Sequence, residues 1–101
     1  MKKQEVKRRI LKAVEGDPLN SEIQKVSLFG SYLKGKSKPN SDIDVLIEFK
    51  PSAVVGFFKL AQIQRNLERS VKKQVDLLTP EAISKFFRAE IINKAETIYE
   101  K

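Results

Sequence analysis

Asp42-Ile43-Asp44 leads into the apolar run Val45-Leu46-Ile47, and no other stretch of the 101-residue chain limits its fold so tightly. Side chains of an extended strand alternate between faces, so both carboxylates are sent to the same face. Two like charges held that close repel each other. The pair either shifts its pKa, weakens the fold, or takes a cation between its members. A hard, oxygen-seeking ion such as Mg²⁺, which characteristically uses a couple of carboxylates plus substrate phosphates, resolves the conflict most simply.

A second anomaly lies upstream. Val26, Leu28 and Phe29 form a short apolar strand candidate that runs directly into Gly30-Ser31, with ten residues between Ser31 and Asp42. Glycine there lets the backbone come close to a ligand, and a hydroxyl with free N–H groups at the start of a helical turn is a natural phosphate cradle. Taken alone, Gly-Ser after a strand is more often a plain turn with a helix cap. Asp76 is a third anomaly, a lone carboxylate between Val75 and Leu77-Leu78. Separately, Ser41-Asp42 is readable as a turn and Asp76 as an edge-strand residue facing water, but Asp44 sits inside its strand, where an unpaired carboxylate is costly to bury. One metal site accounts for Asp42, Asp44 and Asp76 together.

The chemistry open to the chain is narrow, because it contains neither Cys nor His. Disulfides, thiolate metal sites, cysteine nucleophiles and the usual imidazole base are excluded. Carboxylates, hydroxyls, Lys/Arg and a hard metal remain. A formal charge of +7 favours anionic partners, although a Lys/Glu-rich solvated surface gives the same composition. The length suits a single domain over residues 1–101 with one core. Met1-Lys2-Lys3 is followed by polar residues from Gln4 to Arg9 rather than an apolar stretch, and no run approaches a membrane span, so a soluble cytoplasmic protein is expected.

Periodicity orders the elements. Val6, Ile10, Leu11 and Val14 mark an amphipathic helix over Lys2 to Glu15, stopped by Gly16-Asp17-Pro18. Strands are expected at Lys25–Phe29, Asp42–Phe49 and Gln74–Leu78, with a short helix over Ser31 to Gly35 and a polar loop with Pro39-Asn40 over Lys36 to Ser41. Leu60, Ile63, Leu67 and Val71 define a helix from Phe57. Thr79-Pro80 starts a last helix carrying Ile83, Phe87, Ile91, Ala95 and Ile98 on one stripe, widened by Phe86 and Tyr99. The expectation is an α/β (α+β) fold in the order α-β-α-β-α-β-α, with a three-stranded sheet backed by about four helices.

A strand, Gly-Ser, ten residues, Asp-x-Asp and a later strand with one more Asp resembles the nucleotidyltransferase superfamily related to DNA polymerase β. The short length and the ending Ile91-Ile92-Asn93-Lys94-Ala95-Glu96-Thr97-Ile98-Tyr99 resemble its minimal nucleotidyltransferase branch, over about Val26 to Tyr99. The resemblance implies a small mixed sheet, phosphate binding by Gly30 and Ser31, two Mg²⁺ ions on Asp42 and Asp44, and Asp76 completing the site and helping to activate the attacking hydroxyl. It also implies ATP as substrate and an antitoxin that transfers AMP to a tyrosine of a HEPN-type toxin. Where the branch often has Ala-Arg-Gly, this chain has Leu33-Lys34-Gly35, so a point charge replaces a bidentate fork. Lys34 is a phosphate contact or a solvated lysine. Two other functions stay open: a module that neutralises its partner by contact, and a nucleotidyltransferase acting on a small molecule or RNA, with nucleic acid possible but not favoured as a partner.

Overall fold

The computed structural model describes residues 1–38 and 40–101. Pro39, part of the expected polar loop, lies outside the described residues. Helix α1 (Lys3–Glu15) buries Val6, Ile10 and Val14, the stripe its periodicity predicts, and Gly16 closes it by donating to the Lys12 carbonyl at 3.1 Å. Strands β1 (Ile23–Phe29) and β2 (Ile43–Phe49) pair antiparallel. Helix α2 (Phe57–Val71) buries Ile63, Leu67 and Val71 and carries the chain back so that β3 (Val75–Leu78) lies parallel to β2. The turn between them is tight. Lys72 takes a left-handed backbone (φ 56°) and its N–H donates to the Glu68 carbonyl at 2.7 Å.

Alternation along the strands divides the sheet into two unlike faces. Val26 and Leu28 of β1 with Ile43, Val45 and Ile47 of β2 join Val6, Ile10, Val14, Ile63, Leu67 and Val71 in one core cluster, so α1 and α2 cover this face. Asp44, Leu46 and Glu48 point to the other face. Helix α3 (Lys85–Lys94) lines a cleft there with Phe29 and Gly30 and buries no residue fully; Phe86 is 83% exposed and Phe87 59% exposed. That half-open face is where a ligand has room.

Beyond Leu78 the expected single helix is divided among three elements. Pro80–Ala82 is a short 3₁₀ turn without a side-chain cap from Thr79, and α3 starts afresh with the Ser84 hydroxyl accepting from Phe86 N–H at 3.4 Å. The helix ends at Lys94, where Ala95 turns extended, and Glu96–Glu100 forms a fourth strand, β4, antiparallel to β1. The sheet is therefore four-stranded, in the order β3-β2-β1-β4, with three α-helices, rather than three-stranded with about four. Thr97, Ile98 and Tyr99 are β-branched or aromatic residues, and pairing with the otherwise bare edge of β1 outweighs their helical spacing. The expected helix at Ser31 to Gly35 is a hydrogen-bonded turn, Lys34 N–H to Gly30 carbonyl and Lys36 N–H to Ser31 carbonyl. Among the described residues no helix is long and apolar enough to cross a membrane.

Candidate active site

Strand register brings the predicted carboxylates together. Asp44 of β2 stands opposite Asp76 of β3 on one side and opposite Phe29, the last residue of β1, on the other. Asp42 lies just before β2. Asp42 and Asp76 are exposed, whereas Asp44 is half-buried between them. Burial first, then the charges of Asp76 and Asp42, push the Asp44 carboxyl up from 3.8 to about 6. The sheet thus concentrates more negative charge at one end than it can easily hold.

Gly30 occupies the same spot. Its φ is +78°, which disfavours any side chain, and a Cβ built there would lie 2.0 Å from Asp44 Oδ2 and 2.8 Å from Asp44 Cγ. The Asp44 carboxylate lies in the space a Cβ would fill. A close approach of backbone does occur at Gly30, as the sequence implies, and the neighbour seen there is the catalytic candidate Asp44. The turn that follows is anchored by Tyr32, 3% exposed, and by Leu33 packed against the core. Since Ser31 heads a single turn and not a helix, any phosphate contact there rests on its hydroxyl and local N–H groups, without a helix dipole.

Lys34 is exposed at the rim of a cleft of about 260 Å³ lined by Phe29, Gly30, Leu33, Lys34, Glu90, Ile91 and Lys94. Glu90 and Lys94 face it from α3 as an ion pair at 2.9 Å. The hydrogen bond from Lys94 first, with Lys34 a smaller influence, holds the Glu90 carboxyl below its usual range. These two residues escaped the sequence reading. Their only sequence signal is a Glu-Lys pair four apart, which any solvated helix shows.

Among the described residues no three ligating side chains are drawn together tightly enough to enclose an ion. Asp42, Asp44 and Asp76 form a one-sided set, all oxygen, with surplus negative charge on Asp44. That donor chemistry fits a hard divalent ion which keeps waters and takes further oxygens from a substrate phosphate.

Residues 12–101 match the family model described as Polymerase beta, Nucleotidyltransferase. The chain belongs to that nucleotidyltransferase family. A protein of Methanocaldococcus jannaschii provisionally named a protein adenylyltransferase is 33% identical to this nucleotidyltransferase over 91 residues, 90% of this chain and 91% of that one. Among solved structures, a toxin–antitoxin with AMP-PNP superposes with a TM-score of 0.75 at 20% identity, covering 94% of this chain and 73% of that one. A complex of the tri-AMPylated Shewanella oneidensis HEPN toxin with its MNT antitoxin gives 0.67 at 18% identity, covering 98% and 73%. At that identity the two structures establish the fold of this nucleotidyltransferase, and its chemistry rests on the site and the family.

Proposed function

We propose that this nucleotidyltransferase transfers AMP from ATP to a hydroxyl of a partner protein, a tyrosine of a HEPN-type toxin, and so acts as an antitoxin. One observation carries the reading: the Gly30 turn, Asp44 and Asp76 stand in line across three adjacent strands on the sheet face that α1 and α2 leave open. The relative named for protein adenylylation and the neighbour with an AMPylated toxin support the same acceptor class, and the neighbour with AMP-PNP supports the nucleotide.

Asp42, Asp44 and Asp76 would hold Mg²⁺, in the two-ion arrangement the family resemblance implies. When bound, such ions stabilise the attacking and leaving oxygens of an in-line displacement. Gly30 leaves the volume in which Asp44 is held. Ser31 and Lys34, on the turn beside it, face the β- and γ-phosphates, Lys34 as a point charge. The acceptor hydroxyl oxygen forms a bond to the α-phosphorus, the bond from that phosphorus to the bridging oxygen breaks, and pyrophosphate leaves with the electron pair. Asp76, exposed at the open side of the line, takes the hydroxyl proton. Use of ATP supports a cytoplasmic location.

Incubation with a HEPN-type toxin, Mg²⁺ and ATP should raise the toxin's mass by one or more AMP groups, and the toxin should stay inactive after separation. Asp42→Asn with Asp44→Asn should abolish both. Full neutralisation by that double variant at equal concentration would sink the enzymatic reading and leave neutralisation by contact.

A further inference from the structure

A second cavity lies away from the carboxylates. About 610 Å³ opens between α1 and α2, on the opposite face of the sheet, with Arg8, Arg9, Lys12 and Arg69 among its walls. We propose that this groove is a second, phosphate-binding site. Its cations are of two kinds. Arg9 and Arg69 are fixed: Arg9 pairs with Glu5 at 2.9 Å and donates to the Ser70 carbonyl at 3.4 Å, while Ser70 Oγ donates back to the Arg9 carbonyl at 2.8 Å. Arg69 donates to Asn66 Oδ1 at 2.9 Å, and Asn66 Nδ2 donates to Asp17 Oδ2 at 2.9 Å.

Asp17 gives that chain its purpose. It is 6% exposed, plays no part at the carboxylate site, and spends its oxygens on Asn66 and on Leu19 N–H at 2.8 Å. Its charge is thereby committed to the floor of the groove, where it orients an amide that orients a guanidinium. Arg8 and Lys12 are exposed, and among the described residues they form no ion pair or side-chain hydrogen bond. Four residues apart on α1, they stand roughly 6 Å from each other along the helix. Two held guanidinia beside two unengaged cations match a ligand with more than one phosphate group.

The walls also exclude other occupants. Among the described residues no aromatic side chain lines the groove, and its apolar lining is Ala13 and Pro18, so it lacks both the hydrophobic centre of a protein interface and a platform for stacking bases. Recognition there is of phosphate, supplied by a nucleic-acid backbone or by a free polyphosphate.

The test uses the full chain with two probes, a fluorescein-labelled single-stranded RNA followed by anisotropy and inorganic tripolyphosphate followed by calorimetry. Arg8→Glu with Lys12→Glu should weaken the bound probe about tenfold or more, and for RNA should flatten the plot of log affinity against log salt by about 1.4. Arg8→Gln with Lys12→Gln should weaken it less, and serves if charge reversal disturbs folding. Asp42→Asn with Asp44→Asn should leave this binding intact. Loss of RNA binding in the groove variants identifies a nucleic-acid backbone; loss of tripolyphosphate binding with no RNA binding identifies a free polyphosphate. If neither probe binds the wild type, or the groove variants bind both unchanged, the proposal is overturned. Failure here leaves AMP transfer untouched, since the carboxylates lie on the other face.

Discussion

Gly30 and Asp44 contend for one space, so their energetics are coupled. Gly30→Ala should destabilise the protein by about 1–2 kcal/mol for the left-handed backbone alone, plus a clash with the Asp44 carboxyl. With Asp44→Ala most of that clash disappears. A double-mutant cycle by urea unfolding should therefore return a coupling of about 0.5–3 kcal/mol, and strict additivity would show that the turn simply moves aside. Asp44 also sets a pH dependence whose sign is fixed. Its folded pKa, about 6, lies above its ordinary 3.8, so the native state binds more protons than the unfolded chain in that window and stability falls as pH rises through it. Glu96, held below 4.5 chiefly by its hydrogen bond to Lys7, acts the other way and below that window's upper part: its stabilisation is present above 4.5 and lost as pH falls. Between about 5 and 6.5 the slope belongs to Asp44. Asp44→Asn should flatten it in chemical denaturation across pH, and an unchanged slope would place the raised pKa elsewhere.

Elements whose hydrophobic period agreed with their surroundings were legible in the sequence; the stretch beyond Leu78, whose period was ambiguous, and the short helix expected at Ser31 to Gly35 were not. Helices α1 and α2 carry single stripes bounded by Gly16 and Lys72, and β2 and β3 are short apolar runs that each begin beside an Asp. From Ile91 onward, the spacing Ile91, Ala95, Ile98 satisfies a helix, and no Gly or Pro marks the break at Ala95. The bare edge of β1, a tertiary fact, decides for a strand. At the candidate site, Asp42, Asp44, Asp76 and Gly30 stand out in the sequence because their residue types contradict their local setting; the contact between Gly30 and Asp44 does not, since it depends on the register of β1 against β2. The same edge predicts the effect of removing β4. Truncation after Ala95 strips Ile98 and Tyr99 from the core margin, a loss of roughly 2–4 kcal/mol, and leaves β1 with an unpaired edge. Thermal melts should drop, and gel filtration should show self-association; an unaltered monomer of full stability would mean that β4 is dispensable.

On the scale of the whole molecule the three carboxylates stand on the half-open side of the sheet, and the basic groove lies between α1 and α2 on the other. The core lies between them, so the two charged regions do not neutralise each other at contact distance. The carboxylate end then works against folding whenever Asp44 is ionised, and a divalent cation held there should act as a stabiliser that binds the native state alone. At a hundredfold excess over its dissociation constant, Mg²⁺ or Mn²⁺ should add about 2.7 kcal/mol. The response should saturate, grow with a nucleoside triphosphate present, and shrink as pH falls below about 6, where protonated Asp44 no longer offers a charged ligand. Asp44→Asn should abolish it, whereas Arg8→Glu with Lys12→Glu, on the far face, should leave it in place. Calorimetric melts across a metal series decide the matter: a wild-type Tm that does not move with metal at pH 7.5 removes the cation from Asp42, Asp44 and Asp76, and with it the chemistry proposed for them.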